Sequence, residues 1–223
     1  MNNEISEKVL AKMQNGREYR KIEIANIETR DEDDGQMIVE GYATTFNEPY
    51  ELFNMDGYIV REQIAPTAFN DTDMSDVIMQ YDHEGRVFAR TSNNTLSLTV
   101  DGHGLKIRAN LGGTEIGRRL YEEIKGGYTN KMSFGFTVAE DERTVTEDRV
   151  NGTTDVLRTV LRVKKLFDVS AVSLPANGAT EISARTLADG LIGEIKEENL
   201  KRLAEVKRKY QLLIALEMEK NKR

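Results

Sequence analysis

Residues 126–138 read GGYTNKMSFGFTV, and the alternation inside this stretch decides how the chain folds. Met132, Phe134, Phe136 and Val138 fall on one side; Lys131, Ser133, Gly135 and Thr137 fall on the other. A period of two in a run of aromatic and β-branched residues is the pattern of a half-buried strand. The apolar side anchors it to a core. The other side carries a small hydroxyl, Ser133, next to a glycine that clears space around it. A lone serine on a strand is ordinarily just a polar face, so Ser133 gains meaning only from residues elsewhere.

Working outward, residues 114–125 (TEIGRRLYEEIK) place Ile116, Leu120 and Ile124 four apart. That spacing predicts an amphipathic helix stopped by Gly126 and delivering the chain into the Ser133 strand. Before it, residues 94–100 and 105–111 alternate around Asp101-Gly102-His103-Gly104, a hairpin with a glycine-rich turn. His103 is expected to be exposed on that tip. Residues 77–81 form an apolar strand running straight into Asp82-His83-Glu84-Gly85, which holds His83 where a buried strand gives way to a turn. Residues 20–27 and 37–46 read as two strands joined by the acidic turn RDEDDG, whose spacing is not that of a calcium loop. Residues 47–58 read as irregular, 58–64 as a strand, and 66–69 as the start of a short helix. Beyond the Ser133 strand lies a charged loop or hairpin with an Asn151-Gly152 turn. A strand pair or one long bent strand follows over residues 157–172, ended by Pro175. Within it Asp168, Ser170 and Val172 share a face.

The 223 residues suit one domain plus an appendage. Residues 1–18 read as a flexible N-terminus, 19–186 as the main domain and 187–223 as a helical tail. In the tail Leu203, Val206, Tyr210 and Leu213 make a narrow stripe with basic flanks. That is the seam of a short coiled coil or of a helix docking on a partner, or of one packing on its own domain. Net charge is −7, so no overall basic field invites nucleic acid. With no Cys there are no disulfides, thiolate metal sites or Cys nucleophiles. No metal or other cofactor is expected. No apolar leader or membrane span stands out, and a cytosolic setting is expected.

Only two histidines exist. Peptide hydrolysis without metal or Cys needs a nucleophile, a base and a group to orient that base. With His103 on a tip, His83 is the imidazole available to Ser133. Asp168, inside an otherwise apolar strand, is the acid that would be costly without a partner. Lys131, two residues from Ser133 on its face, leaves a Ser–Lys dyad open. Arg86, Arg90, Arg118 and Arg119 are candidates for an oxyanion, with surface pairing as the plain alternative. No G-x-S-x-G elbow is present, which excludes the α/β-hydrolase pattern.

Five segments in order, EGYATTFNEPY (40–50), APTAF (65–69), YDHEGRVFART (81–91), KMSFGF (131–136) and LFDVSAVSLPAN (166–177), resemble prohead serine proteases of HK97-type tailed phages. The resemblance covers about residues 20–185. It implies a mainly β, α+β fold: a largely antiparallel β-barrel wrapped by short helices, like the herpesvirus assembly proteases, with the C-terminal amphipathic helix added. It implies His83 as base and Ser133 as nucleophile. Asp168 stands where the family commonly has Glu before Val-Ser, a departure that bears on the third member; the herpesvirus relatives use a second His there. The implied function is a serine endopeptidase that cleaves scaffold, or the scaffold-like arm of the major capsid protein, inside immature proheads in the host cytoplasm. Self-cleavage and a homo-oligomer are left open. A catalytically silent capsid- or scaffold-binding module is the alternative of a different class.

Overall fold

A computed structural model describes residues 15–31, 36–148, 150–172 and 178–220. The chain forms two compact units, Met1–Arg185 and Thr186–Arg223. It is an α+β protein, mostly strand, with two helices among the described residues. The strands are β1 (Glu18–Asp31), β2 (Met37–Thr45), β3 (Tyr50–Met55), β4 (Tyr58–Ile64), β5 (Ile78–Tyr81), β6 (Glu84–Arg90), β7 (Leu96–Val100), β8 (Gly104–Asn110), β9 (Lys131–Asp148) and β10 (Thr153–Val172). The helices are α1 (Glu115–Lys125) and α2 (Gly178–Lys220).

The quoted stretch opens β9, and its alternation is realised as expected. Met132, Phe134 and Phe136 are fully buried among Val39, Leu105, Ile107 and Leu120. The two phenylalanine rings stack at 4.5 Å, a contact worth about 0.5–1.5 kcal/mol beyond burial. Helix α1 starts where Thr114 accepts the Gly117 N–H at 3.1 Å, an N-cap that satisfies a donor the helix itself leaves unpaired.

From β10 the sheet runs through β9, β1, β2, β8 and β7. The other edge of β10 serves two strands end to end: β4 pairs in parallel with residues 154–160, and β5 with residues 168–171. The barrel implied by resemblance is corrected here, because the sheet is open. Closure would need a ladder between β6 and β7. Among the described residues that gap carries one backbone hydrogen bond, from Thr95 N–H to the Arg90 carbonyl at 3.2 Å. A single 3₁₀ turn, Thr91–Asn93, separates the two strands.

Other expectations shift for local reasons. Residues 50–55 are not irregular but the edge strand β3, joined to β4 by an Asp56-Gly57 turn with φ of 55° and 78°. Residues 66–69 do not begin a helix. Ala68, Asn70 and Thr72 donate to carbonyls three residues back, giving successive turns without an i−4 ladder. The charged segment after residue 140 is a hairpin built from the far halves of β9 and β10. Residues 1–14, residues 32–35 of the acidic turn and Pro175 lie outside the described residues, as do the side chains of Ile22 and Ile24. Glu18, expected in a flexible terminus, opens β1.

Beneath β1, β4 and β10 sits a buried ionic group. Glu62, fully buried, accepts from Arg20 Nε at 2.6 Å, Arg158 Nη1 at 2.7 Å and Tyr50 Oη at 2.5 Å. Glu18 pairs with both arginines, and Asp141 with Arg158. Burial alone would raise the Glu62 carboxyl, but Arg20 and Arg158 outweigh it and hold it below the usual carboxylate range. Glu62 therefore contributes stability above its unfolded pKa that is lost as pH falls through its folded value. Glu62→Ala leaves two buried guanidiniums short of a partner and should lower stability at neutral pH by about 3–5 kcal/mol. Urea unfolding at neutral and acid pH checks both points: the deficit should narrow as the wild-type carboxylate protonates.

Candidate active site

Three strands and one turn build the site. In β9, Ser133 faces away from the phenylalanines. Opposite it in β10 stands Ser170, and opposite Gly135 stands Asp168. The two-residue period would have put Asp168 on the apolar side. The ladder slips by one residue between Leu166 and Asp168, a bulge that turns the acid to the Ser133 face.

His83 arrives from above. Strand β5 lies parallel to residues 168–171 of β10, and the two-residue loop Asp82-His83 folds it back into β6. Both loop residues have positive φ, 48° and 63°, as a type I′ hairpin requires. Neither is a glycine, so the left-handed backbone costs roughly 1–2 kcal/mol at each. The turn fixes the imidazole over the sheet.

The three expected residues are brought together. His83 Nε2 lies 2.6 Å from Ser133 Oγ, and His83 Nδ1 lies 2.5 Å from Asp168 Oδ1. All three are fully buried. Burial alone would raise the Asp168 carboxyl. Electrostatic attraction to His83 and its hydrogen bond, then Arg17 and the Ser170 hydroxyl, outweigh it and hold the acid below the ordinary range. An ionised Asp168 accepting from Nδ1–H leaves the Nε2 lone pair for a serine proton, the arrangement acyl transfer needs.

Four participants were missed in the sequence. Ser170 donates to Asp168 Oδ1 at 3.1 Å and lies 3.2 Å from His83 Nδ1. Its place on the acid's face was readable, its contact was not. The other three come from the N-terminal stretch. Arg17 Nη1 is 3.6 Å from Asp168 Oδ2, the Tyr19 ring lies 4.5 Å from the His83 ring, and the Arg20 carbonyl accepts from Ser133 Oγ at 2.8 Å. No local pattern links residues 17–20 to a strand so far along the chain.

Among the described residues, Ser133 Oγ meets His83 Nε2 and the Arg20 carbonyl rather than Lys131. Of the arginines, Arg90 pairs with Asp76, Arg118 donates to the Gly112 carbonyl and Arg119 pairs with Glu115. Arg86 lines a pocket of about 420 Å³ beside the β5–β6 turn, with Tyr81, Asp82 and Phe88 but not His83. His103 is exposed, edge-on to Tyr42 at 4.6 Å. Among the described residues no group of acids and histidines could hold a metal ion, and no helix is long and apolar enough to cross a membrane.

Residues 25–191 match the model of the caudovirus prohead serine protease family. The chain belongs to that family. It is a serine protease of phage capsid maturation, as its motifs led one to expect, and proteases of this kind act on capsid or scaffold proteins within proheads in the host cell. One solved structure, the bacteriophage T4 capsid assembly protease, is similar at 14% identity over 70% of this chain and 95% of that one, with a TM-score of 0.35. No curated protein matches the chain.

Gly135 is what lets the acid and the ring share this space. A Cβ there would stand 2.4 Å from Asp168 Oδ2 and 2.9 Å from Tyr19 Cε1. Gly135→Ala should therefore overpack the site and cost about 1–3 kcal/mol in urea unfolding. An unchanged midpoint would mean that Asp168 has another low-energy position.

Proposed function

We propose that Ser133, His83 and Asp168 are the catalytic triad of a prohead endopeptidase whose substrate is scaffold or the scaffold-like arm of the major capsid protein. The observation that carries this reading is the unbroken hydrogen-bonded chain from Ser133 Oγ through both imidazole nitrogens to Asp168. Ser133 Oγ attacks the scissile carbonyl carbon while its proton passes to His83 Nε2. Asp168 holds the Nδ1 proton and stabilises the imidazolium. The tetrahedral intermediate collapses as Nε2 returns the proton to the leaving amine. Water then repeats the sequence on the acyl-enzyme and frees Ser133. Ser170, donating to the acid, keeps Asp168 turned toward the ring and acts as a positioning residue.

Ser133→Ala and His83→Ala should each lower processing by roughly 10⁴-fold or more, and the pair together scarcely further, because triad members act as a unit. Asp168→Ala should lose less, and His103→Ala nothing. Co-expression with the capsid protein of the same phage, followed by mass spectrometry of product termini, reads all four and identifies the bond cut. Products with unchanged termini from Ser133→Ala would reassign the nucleophile. The same termini on the protease itself would establish self-cleavage.

The tail is assigned a recruiting role. Leu203, Val206, Tyr210 and Leu213 lie along α2 and all are exposed, and residues 187–223 carry a net charge opposite to that of the chain as a whole. About two apolar residues per heptad suit one helix against another, so the partner proposed is a helical segment of the scaffold or of the capsid arm. A chain ending near Thr186 should still cleave substrate in dilute solution yet be packaged poorly. Counting protease molecules per prohead for both lengths tests this, and equal packaging would refute recruitment.

A further inference from the structure

A nucleophile with no exposed surface cannot reach a polypeptide carbonyl. One contiguous piece of chain touches all three site residues. Arg17 reaches Asp168, the Tyr19 ring covers His83, and the Arg20 carbonyl takes a hydrogen bond from Ser133. The same piece, residues 18–22, runs antiparallel along β9 with Lys21 opposite Ser133. It is held from behind as well. Ser183 Oγ accepts the Tyr19 N–H at 3.2 Å and an Arg20 Nη1–H at 3.0 Å, and the Arg20 side chain ends on Glu62.

Two further observations separate this piece from the rest of β1. Its register against β9 breaks between Ile22 and Asn26, and from Ile27 onward β1 pairs with β2 instead. The family match also begins at residue 25, past the covering segment. The serine proton supplies the chemical argument. Ser133 has one hydroxyl hydrogen and two acceptors in reach, His83 Nε2 at 2.6 Å and the Arg20 carbonyl at 2.8 Å. Donated to the carbonyl, that hydrogen is not available to the base, and the serine is not activated.

We propose that the groove along residues 132–136 of β9 is the substrate-binding groove, that it takes an extended polypeptide strand antiparallel to β9, and that residues 18–22, with Arg17 beside them, occupy it as a built-in competitor. This rests on the triad reading above. Substrate replaces the segment by strand addition, so backbone hydrogen bonds supply affinity and alternate side chains supply selection. Glu62, with Tyr50 beside it, is then the selecting group for a basic substrate side chain in the place Arg20 now fills. Once the segment leaves, Ser133 has His83 Nε2 as its acceptor and can attack.

The full-length chain and two opened variants test this. Arg17→Ala/Tyr19→Ala removes the groups over Asp168 and His83 but keeps the buried ion pairs. Arg20→Pro removes a backbone donor and the guanidinium together. Ser133 labelling by a fluorophosphonate probe is timed by intact mass, with Ser133→Ala as blank, and hydrogen exchange reports whether residues 17–22 are released. Released variants should label about tenfold faster or more, since reactivity scales with the competent fraction. A synthetic peptide of residues 15–22 should slow them again, and the Arg20→Ala version of that peptide should slow them less. Equal labelling of wild type and a released variant would overturn the proposal and leave the triad standing. No labelling of a released variant would overturn the nucleophile assignment, and this proposal with it. A peptide without effect on a released, fast-labelling variant would refute the groove as the segment's binding place.

Discussion

The one-residue slip of β10 against β9 between Leu166 and Asp168 is the constraint on which the site depends. Before it Leu166 stands opposite Phe136; after it Asp168 stands opposite Gly135. Without the extra residue, Phe167 would face Gly135 and Asp168 would face Phe134, an unpaired carboxylate among stacked rings. Because side chains alternate, one residue of slip exchanges the faces of everything that follows. Ser170 and the β5 ladder follow the same register, so the turn carrying His83 is placed by the slip as well. The glycine opposite the acid is its counterpart, since any side chain there would occupy the carboxylate's position.

The two faces of β1 and β9 treat charge differently. On the phenylalanine side, Arg20, Glu62 and Arg158 are buried as an ionic cluster that also holds Tyr50 and Glu18. Desolvation makes such clusters weak contributors to net stability compared with an apolar replacement, while any one member left alone is expensive. Their effect is to make one position of the strand much better than its neighbours. Sliding residues 18–22 by two positions would withdraw Arg20 from Glu62. The same cluster holds the N-terminal strand in register over Ser133, and Arg158 and Glu62 would keep each other if Arg20 departed.

How much of this was legible in the sequence follows from the range of each interaction. The strand around Ser133, the helix before it and the β7–β8 hairpin are written in local periodicity, and all three form as read. His83 at the end of an apolar run and Asp168 inside one were visible as anomalies, residues whose cost demanded a partner. Missing were features set by partners distant in sequence. The open β6–β7 gap depends on whether two edges meet, and the burial of the site depends on residues 17–20, of which 17 and 18 read as a flexible end and 20 as the start of a strand whose partner no local pattern names. Edge strand β3 was lost to the Pro49 and Gly57 punctuation around it, although Asp56-Gly57 is itself hairpin chemistry.

The backbone at His83 connects these threads. Two successive non-glycine residues with positive φ are held in place only if the surroundings over-determine them. Below the imidazole lie Ser133, Asp168 and Ser170, and against it lies the Tyr19 ring. The hydrogen bonds to β9 and β10 persist whatever occupies the groove, and the β5–β10 ladder fixes the strand that leads into the turn. The Tyr19 contact is the one that would leave with residues 17–22. On the proposal above, exchange of the covering strand for a substrate strand would change what lies against the ring while the groups beneath it stay in place. If His83 is the base, as proposed, a ring kept rigid by its sheet under a segment that substrate displaces would let the same geometry be stored closed and used open.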